Sequence, residues 1–162
     1  MSYIRSAESV TDVAASPETL FDFLDDQAAL GSHMGKPSMM MLGGRMSYSL
    51  DDSAGRAVGS RISMRGSVLG LELTVDEVIV EHRPPVSKVW ETLGRPDLLV
   101  IGAYRMGFEI HGSGGGSRLR VFINYDDPAT VAGRIIGPLL GRIYARWCVT
   151  RMARDAASRF RQ

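Results

Sequence analysis

Residues 100–125 read VIGAYRMGFEIHGSGGGSRLRVFINY, and the fold turns on this stretch. Val100, Tyr104, Met106, Phe108 and Ile110 share one parity, with Gly102 between them, while Arg105, Glu109 and His111 share the other. A period of two with one apolar and one polar side is a half-buried strand. The glycines at 112, 114, 115 and 116 make His111 to Ser117 a hairpin connection. Beyond it Leu119, Val121, Ile123 and Tyr125 repeat the alternation against Arg118, Arg120 and Asn124. The connection is too short for a crossover helix, so the two strands run antiparallel.

Upstream the same period recurs. Met46, Tyr48 and Leu50 alternate, then Ile62 and Met64, then Leu71, Leu73 and Val75. The apolar parity passes to Val78 and Val80, which places a β-bulge near Asp76-Glu77. Val86 to Leu93 is a further strand carrying Trp90 and Glu91 on opposite faces, with Glu91 free to pair with Arg105 on the outer one. The amino-terminal stretch Ile4 to Ala14 is a strand with one wet face. Ser16-Pro17-Glu18-Thr19 then opens a helix, with Ser16 as N-cap and Pro17 at the first helical position. Leu20, Phe21, Phe23 and Leu24 give it an apolar side, and Asp25-Asp26 opposes the dipole at its end. Gln27 to Leu30 reads as a short second helix stopped by Gly31.

Downstream of Asp126-Asp127-Pro128 the period lengthens. Ile135, Ile136, Leu139, Leu140, Ile143, Tyr144, Trp147, Cys148 and Met152 fall at helical spacing over residues 131–160. This is one amphipathic helix of more than 20 residues, about 30 Å or longer, with a kink or reset at Gly137-Pro138. The class is α+β: seven antiparallel strands in one domain spanning residues 1–162, with the terminal helix the only element long enough to cover the sheet's apolar face.

Composition narrows the function. Lys and Arg number 19 against 18 Asp and Glu, so the chain lacks the basic excess of a nucleic-acid binder. No segment reaches the ~20 apolar residues of a membrane span, and MSYIRSAESV has no apolar core of a secretion signal, so a cytoplasmic chain without stable membrane insertion is expected. Cys148 has no second cysteine to pair with, and His33, His82 and His111 are far apart in sequence; no metal and no cofactor are expected. Cys148 reads as a buried inert thiol, His111 as a surface residue and His82 as a structural or solvated one. Residues 134–162 carry a net +6, leaving −5 on the rest. A solvated helix face accounts for that, with a transient contact to an anionic surface as the alternative.

The run Val13-Ala14-Ala15-Ser16-Pro17-Glu18-Thr19-Leu20-Phe21-Asp22-Phe23-Leu24 resembles the strand-to-helix opening of the START/Bet v 1-like superfamily, the SRPBCC or polyketide cyclase/dehydrase and lipid-transport group. His33-Met34, Gly43-Gly44-Arg45-Met46, Val89-Trp90-Glu91-Thr92, Tyr104-Arg105-Met106 and the helix containing Tyr144, Ala145 and Trp147 resemble in outline a bacterial subgroup of unsettled function. The resemblance implies a helix-grip fold: a curved seven-stranded antiparallel sheet wrapped around a long C-terminal helix, with one or two short helices after the first strand and a cavity between sheet and helix.

In such a fold the cavity is lined by Met64, Leu73, Trp90, Tyr104, Met106, Phe108, Val121, Ile123 and Tyr125, facing Ile136, Leu140, Ile143 and Trp147. Tyr104 and Tyr125 would bring hydroxyls inside. Met34 stands with Met39, Met40 and Met41 at the mouth, where flexible thioethers suit irregular ligands. His33 is the candidate catalytic residue, since histidine titrates near neutrality without help. A hydrophobic small molecule of lipid, steroid or polyketide type is the expected partner, bound by a monomer or homodimer acting as binder or carrier. A polyketide aromatase/cyclase or dehydratase using a pocket histidine or tyrosine is the alternative, with no paired acid and base evident. A protein-interaction module with a filled core is the third reading.

Overall fold

The computed structural model describes residues 2–26, 45–68 and 70–161. Its elements are β1 (Arg5–Val13), α1 (Pro17–Leu24), β2 (Arg45–Leu50), β3 (Arg61–Val68), β4 (Leu71–Arg83), β5 (Ser87–Thr92), β6 (Tyr104–Ser113), β7 (Gly116–Tyr125) and α2 (Val131–Arg159). Each strand from β2 to β7 pairs antiparallel with the next, and β1 returns to pair with β7, giving the order β1-β7-β6-β5-β4-β3-β2. The β6–β7 hairpin turns on Gly114 and Gly115 at φ of 50° and 95°. That is the left-handed backbone a two-residue hairpin loop needs to match strand twist. On the outer face arginines pair with acids on neighbouring strands: Arg118 with Asp12 at 3.0 Å, Arg120 with Glu8 at 2.7 Å, and Arg105 with Glu91 at 3.2 Å. Exposed pairs of this kind favour the register and add little stability.

Ser16 caps α1, its hydroxyl accepting from the Thr19 N–H at 3.3 Å. Leu20, Phe21 and Leu24 are buried, with the Phe21 ring edge-on to Phe108 and His82. The unfavourable Asp25 at its end is compensated from the sheet. Lys88 Nζ donates to the Asp25 carboxylate at 2.9 Å and to its backbone carbonyl at 3.1 Å, and His82 Nε2 lies 3.0 Å from the same carboxylate. Lys88 is fully buried, and that burial pulls its pKa down against the pull of Asp25.

The structure departs from the sequence expectation in three places. The strand expected to begin at Val100 begins at Tyr104. Residues 100–103 instead approach the start of α2, with the Gly102 N–H donating to the Asp126 carbonyl at 2.7 Å. The bulge lies between Ile79 and Glu81, not at Asp76-Glu77, so Leu73, Val75, Glu77 and Ile79 face the core in unbroken alternation. Thirdly, α2 runs continuously through Pro138 but is turned over along its first half. Gly133, Gly137, Gly141 and Ala145 are buried, whereas Ile136, Leu140 and Ile143, expected on the sheet side, are exposed. A Cβ on Gly137 would lie 2.7 Å from Pro128 Cδ, and one on Gly141 2.5 Å from the Val100 carbonyl oxygen. Glycine is what lets helix and chain approach that closely.

Among the described residues no helix is long and apolar enough to cross a membrane. The short second helix expected at Gln27 to Leu30 lies outside the described residues.

Candidate functional site

The core-facing side of the sheet is formed as the alternation predicts. Met64, Leu73, Trp90, Tyr104, Met106, Phe108, Val121, Ile123 and Tyr125 are all buried and belong to one apolar cluster. Cross-strand pairing ties them together: Trp90 lies opposite Met106, Met106 opposite Ile123, and Phe108 opposite Val121. The later turns of α2 close over them through Cys148, Val149, Met152, Ala153 and Ala156. Trp147 is half-buried with its ring 5.9 Å from that of Tyr144. His33 and Met34, with the Met39 to Met41 run, lie outside the described residues.

Within this apolar layer sits a polar cluster centred on Glu77, only 2% exposed. In the register of the sheet Glu77 lies opposite Thr92, and the Thr92 hydroxyl accepts from the Tyr104 N–H at 3.2 Å. The short threonine between the two strands lets the Tyr104 hydroxyl reach across and donate to Glu77 Oε1. The Trp90 indole also hydrogen-bonds the carboxylate. Tyr48 on β2 and Tyr144 on α2 stand close enough to feel its charge, and Tyr144 hydrogen-bonds Cys148.

Burial dominates the electrostatics. It pushes the Glu77 carboxyl from 4.5 up to about 7, against the opposing pull of the Tyr104 hydrogen bond, the positive Lys88 and the Trp90 hydrogen bond. Burial, then the neighbouring carboxylate, raises the Tyr104 phenol well above its ordinary value. Burial likewise takes the Cys148 thiol up to about 12, which makes it a protonated, inert group. Tyr125 belongs to a different neighbourhood, with Arg5, Asp127 and Arg142 around it.

Glu77 is the residue the sequence reading passed over. Its signal was available: it continues the parity of Leu73 and Val75 toward Ile79, but a bulge introduced to bring Val78 and Val80 inward moved it out. A carboxylic acid poised near neutrality beside a phenol can hold or move a proton, or donate a hydrogen bond to a carbonyl, inside an apolar layer. His82, by contrast, is engaged with Asp25 at the end of α1, and His111 is exposed at the β6–β7 hairpin.

No protein-family model and no curated protein matches the chain. Solved structures do. A protein of Thermus thermophilus superposes with a TM-score of 0.65 at 12% identity, covering 96% of this chain and 99% of its own. A Chromobacterium violaceum protein gives 0.62 at 14% identity with 96% of both chains covered. A Rhizobium loti protein gives 0.58 at 20%, covering 93% of this chain and 96% of its own. Likeness at these identities is likeness of fold, and it spans nearly the whole chain. The curved sheet, the capped short helix and the long closing helix together give this chain a helix-grip fold, which it shares with these structures.

Proposed function

We propose that the chain binds a hydrophobic small molecule between sheet and α2, as a single-domain binder or carrier, with a polar group of the ligand held at Glu77 and Tyr104. The observation that carries this reading is a protonatable carboxyl buried with a phenol and an indole in the layer where this fold accommodates ligands. Apolar walls supply affinity, and a few polar groups fix orientation. Below about pH 7 Glu77 is neutral and offers a hydrogen bond to a carbonyl or hydroxyl; above it the carboxylate repels an anionic head. The favoured ligands are therefore uncharged at that end: sterol-like, polyketide-like or neutral lipids.

A second reading, a proton-transferring enzyme, is favoured by the same contact. A carboxyl near neutrality in hydrogen-bond contact with a tyrosine can serve the enolisation of a ketone, or the loss of water from a β-hydroxy ketone, by taking the α-proton and protonating the departing hydroxyl. In that reading Glu77 and Tyr104 carry the chemistry, rather than His33.

Native mass spectrometry of protein from its own host, followed by organic extraction, tests the binder. A discrete apolar mass is expected. Replacing Glu77→Leu together with Tyr104→Phe removes both ends of the polar contact and lowers affinity for that ligand about tenfold. No ligand from the host and no uptake from a panel of sterols and neutral lipids would sink the proposal in favour of a filled core. Undiminished binding by the double variant would move the ligand away from Glu77. For the enzyme, full turnover by Glu77→Gln removes the assigned acid.

A further inference from the structure

The first half of α2 carries its apolar side outward. Val131, Ile135, Ile136, Leu139, Leu140 and Ile143 are exposed, Ile135 at 79% and Leu139 at 66%. They cover the face opposite the glycines, over about 18 Å of helix. Aliphatics on every outward turn of a helix whose inward turns are glycine are not there to fill a core. Contiguous exposed apolar patches of this kind mark contact surfaces.

The charges around the patch state what it contacts. No Asp or Glu occurs between Asp127 and Asp155, while Arg134, Arg142, Arg146, Arg151 and Arg154 are all exposed. Helix stability does not account for the first two. The opening turn of α2 holds no acid to complement the dipole and places Arg134 where a cation opposes it. One turn beyond Ile143, a groove of about 250 Å³ is lined by Arg146, Trp147, Thr150, Arg151 and Arg154. Three arginines thus stand along one groove, Arg151 ion-paired with Asp155 at 3.2 Å, and their net positive charge suits phosphate oxygens.

We propose that this face of α2 docks on an anionic lipid bilayer, lying in the interface with its aliphatics among the acyl chains and its arginines on the phosphates. An exposed apolar helix face bordered by arginines is the pattern of interfacial membrane binding. A second copy of the chain fits less well, because an isologous contact through this patch brings the arginines of both helices into one interface, and no Asp or Glu between Asp127 and Asp155 offsets them. Docking of this outer face does not depend on what occupies the interior.

Co-sedimentation with vesicles of phosphatidylcholine mixed with phosphatidylglycerol, against pure phosphatidylcholine, tests it with the whole chain. Binding to the mixed vesicles alone, released by salt, is expected. Arg142→Gln with Arg146→Gln weakens it about thirtyfold, at roughly fivefold for each cation removed. Ile135→Asp with Leu139→Asp weakens it at least about tenfold. Thermal unfolding checks that the variants stay folded, and should the aspartate pair unfold, the arginine pair carries the test. Failure of the wild-type chain to bind the mixed vesicles overturns the proposal, as does wild-type affinity in the variants. Sedimentation showing a dimer that Ile135→Asp with Leu139→Asp dissociates, without vesicle binding, overturns it in favour of a second copy.

Discussion

Glu77 gives the site a measurable signature in stability. Its carboxyl is held near 7 in the folded chain and returns to 4.5 on unfolding, because only the folded chain removes it from water. The folded state therefore retains the proton that the unfolded state gives up. The sign follows: the contribution is intact below about pH 4.5, falls as pH rises toward about 7, and is level above that. Glu77→Gln keeps the shape and an oxygen to accept from Tyr104 but cannot ionise. The difference in unfolding free energy between wild type and variant should thus change across that window and reach at most about 3 kcal/mol in the variant's favour at alkaline pH. Denaturant melts at pH 4, 6 and 8 check it; a difference that stays constant would mean that Glu77 is solvated. Hydropathy gives the parity of Leu73, Val75 and Ile79 on which Glu77 falls, but a lone carboxyl there looks like an interruption of the strand. Only the register across β4, β5 and β6, through Thr92, shows that Tyr104 is there to meet it.

At the scale of elements, strands were legible and the orientation of the long helix was not. A strand's two faces alternate rigidly, so Tyr104 to Ile110 and Leu119 to Tyr125 could be assigned to the core from polarity alone, and both sets are buried. A helix face is inferred from where its apolar residues fall, and α2 inverts that inference. Its contact side in the first half is Gly133, Gly137 and Gly141, which carry no hydropathy to read, and the aliphatics point away. Gly141→Ala tests whether close approach sets this orientation. An alanine in a helix interior normally gains about 1 kcal/mol over glycine. Here the new Cβ lies 2.5 Å from the Val100 carbonyl oxygen, a backbone atom that cannot swing aside. A net loss of about 1–2 kcal/mol is expected in chemical denaturation. A gain would show that the helix stands off from residue 100. The end of α1 was equally hidden, since Asp25 reads as a helix-terminating liability until Lys88, distant in sequence, is placed beside it.

For the molecule as a whole, the closing contact is between its two ends. β1 adds to the sheet by pairing with β7 along its full length, from Arg5 opposite Tyr125 to Val13 opposite Ser117. The long helix then packs chiefly on β1 and β7. The grip thus brings strand and helix from opposite ends of the chain together at β7, and the helix adds a smaller contact to α1 through Phe160 on Phe23. Removing β1 exposes two liabilities at once. The inner face of β7, where Leu119, Val121 and Ile123 are buried, loses its flank, and the freed edge presents unpaired backbone groups to other chains. The helix loses its main support, so its buried Val149, Ala153 and Ala156 become exposed apolar surface. A chain starting at Ala14 should therefore lack a cooperative thermal transition and bind a hydrophobic dye, whereas the full chain melts in one step. Cooperative melting of the shortened chain, with its circular dichroism otherwise unchanged, would show that β2 to β7 and α2 hold together without the amino-terminal strand and that β1 is an accessory edge.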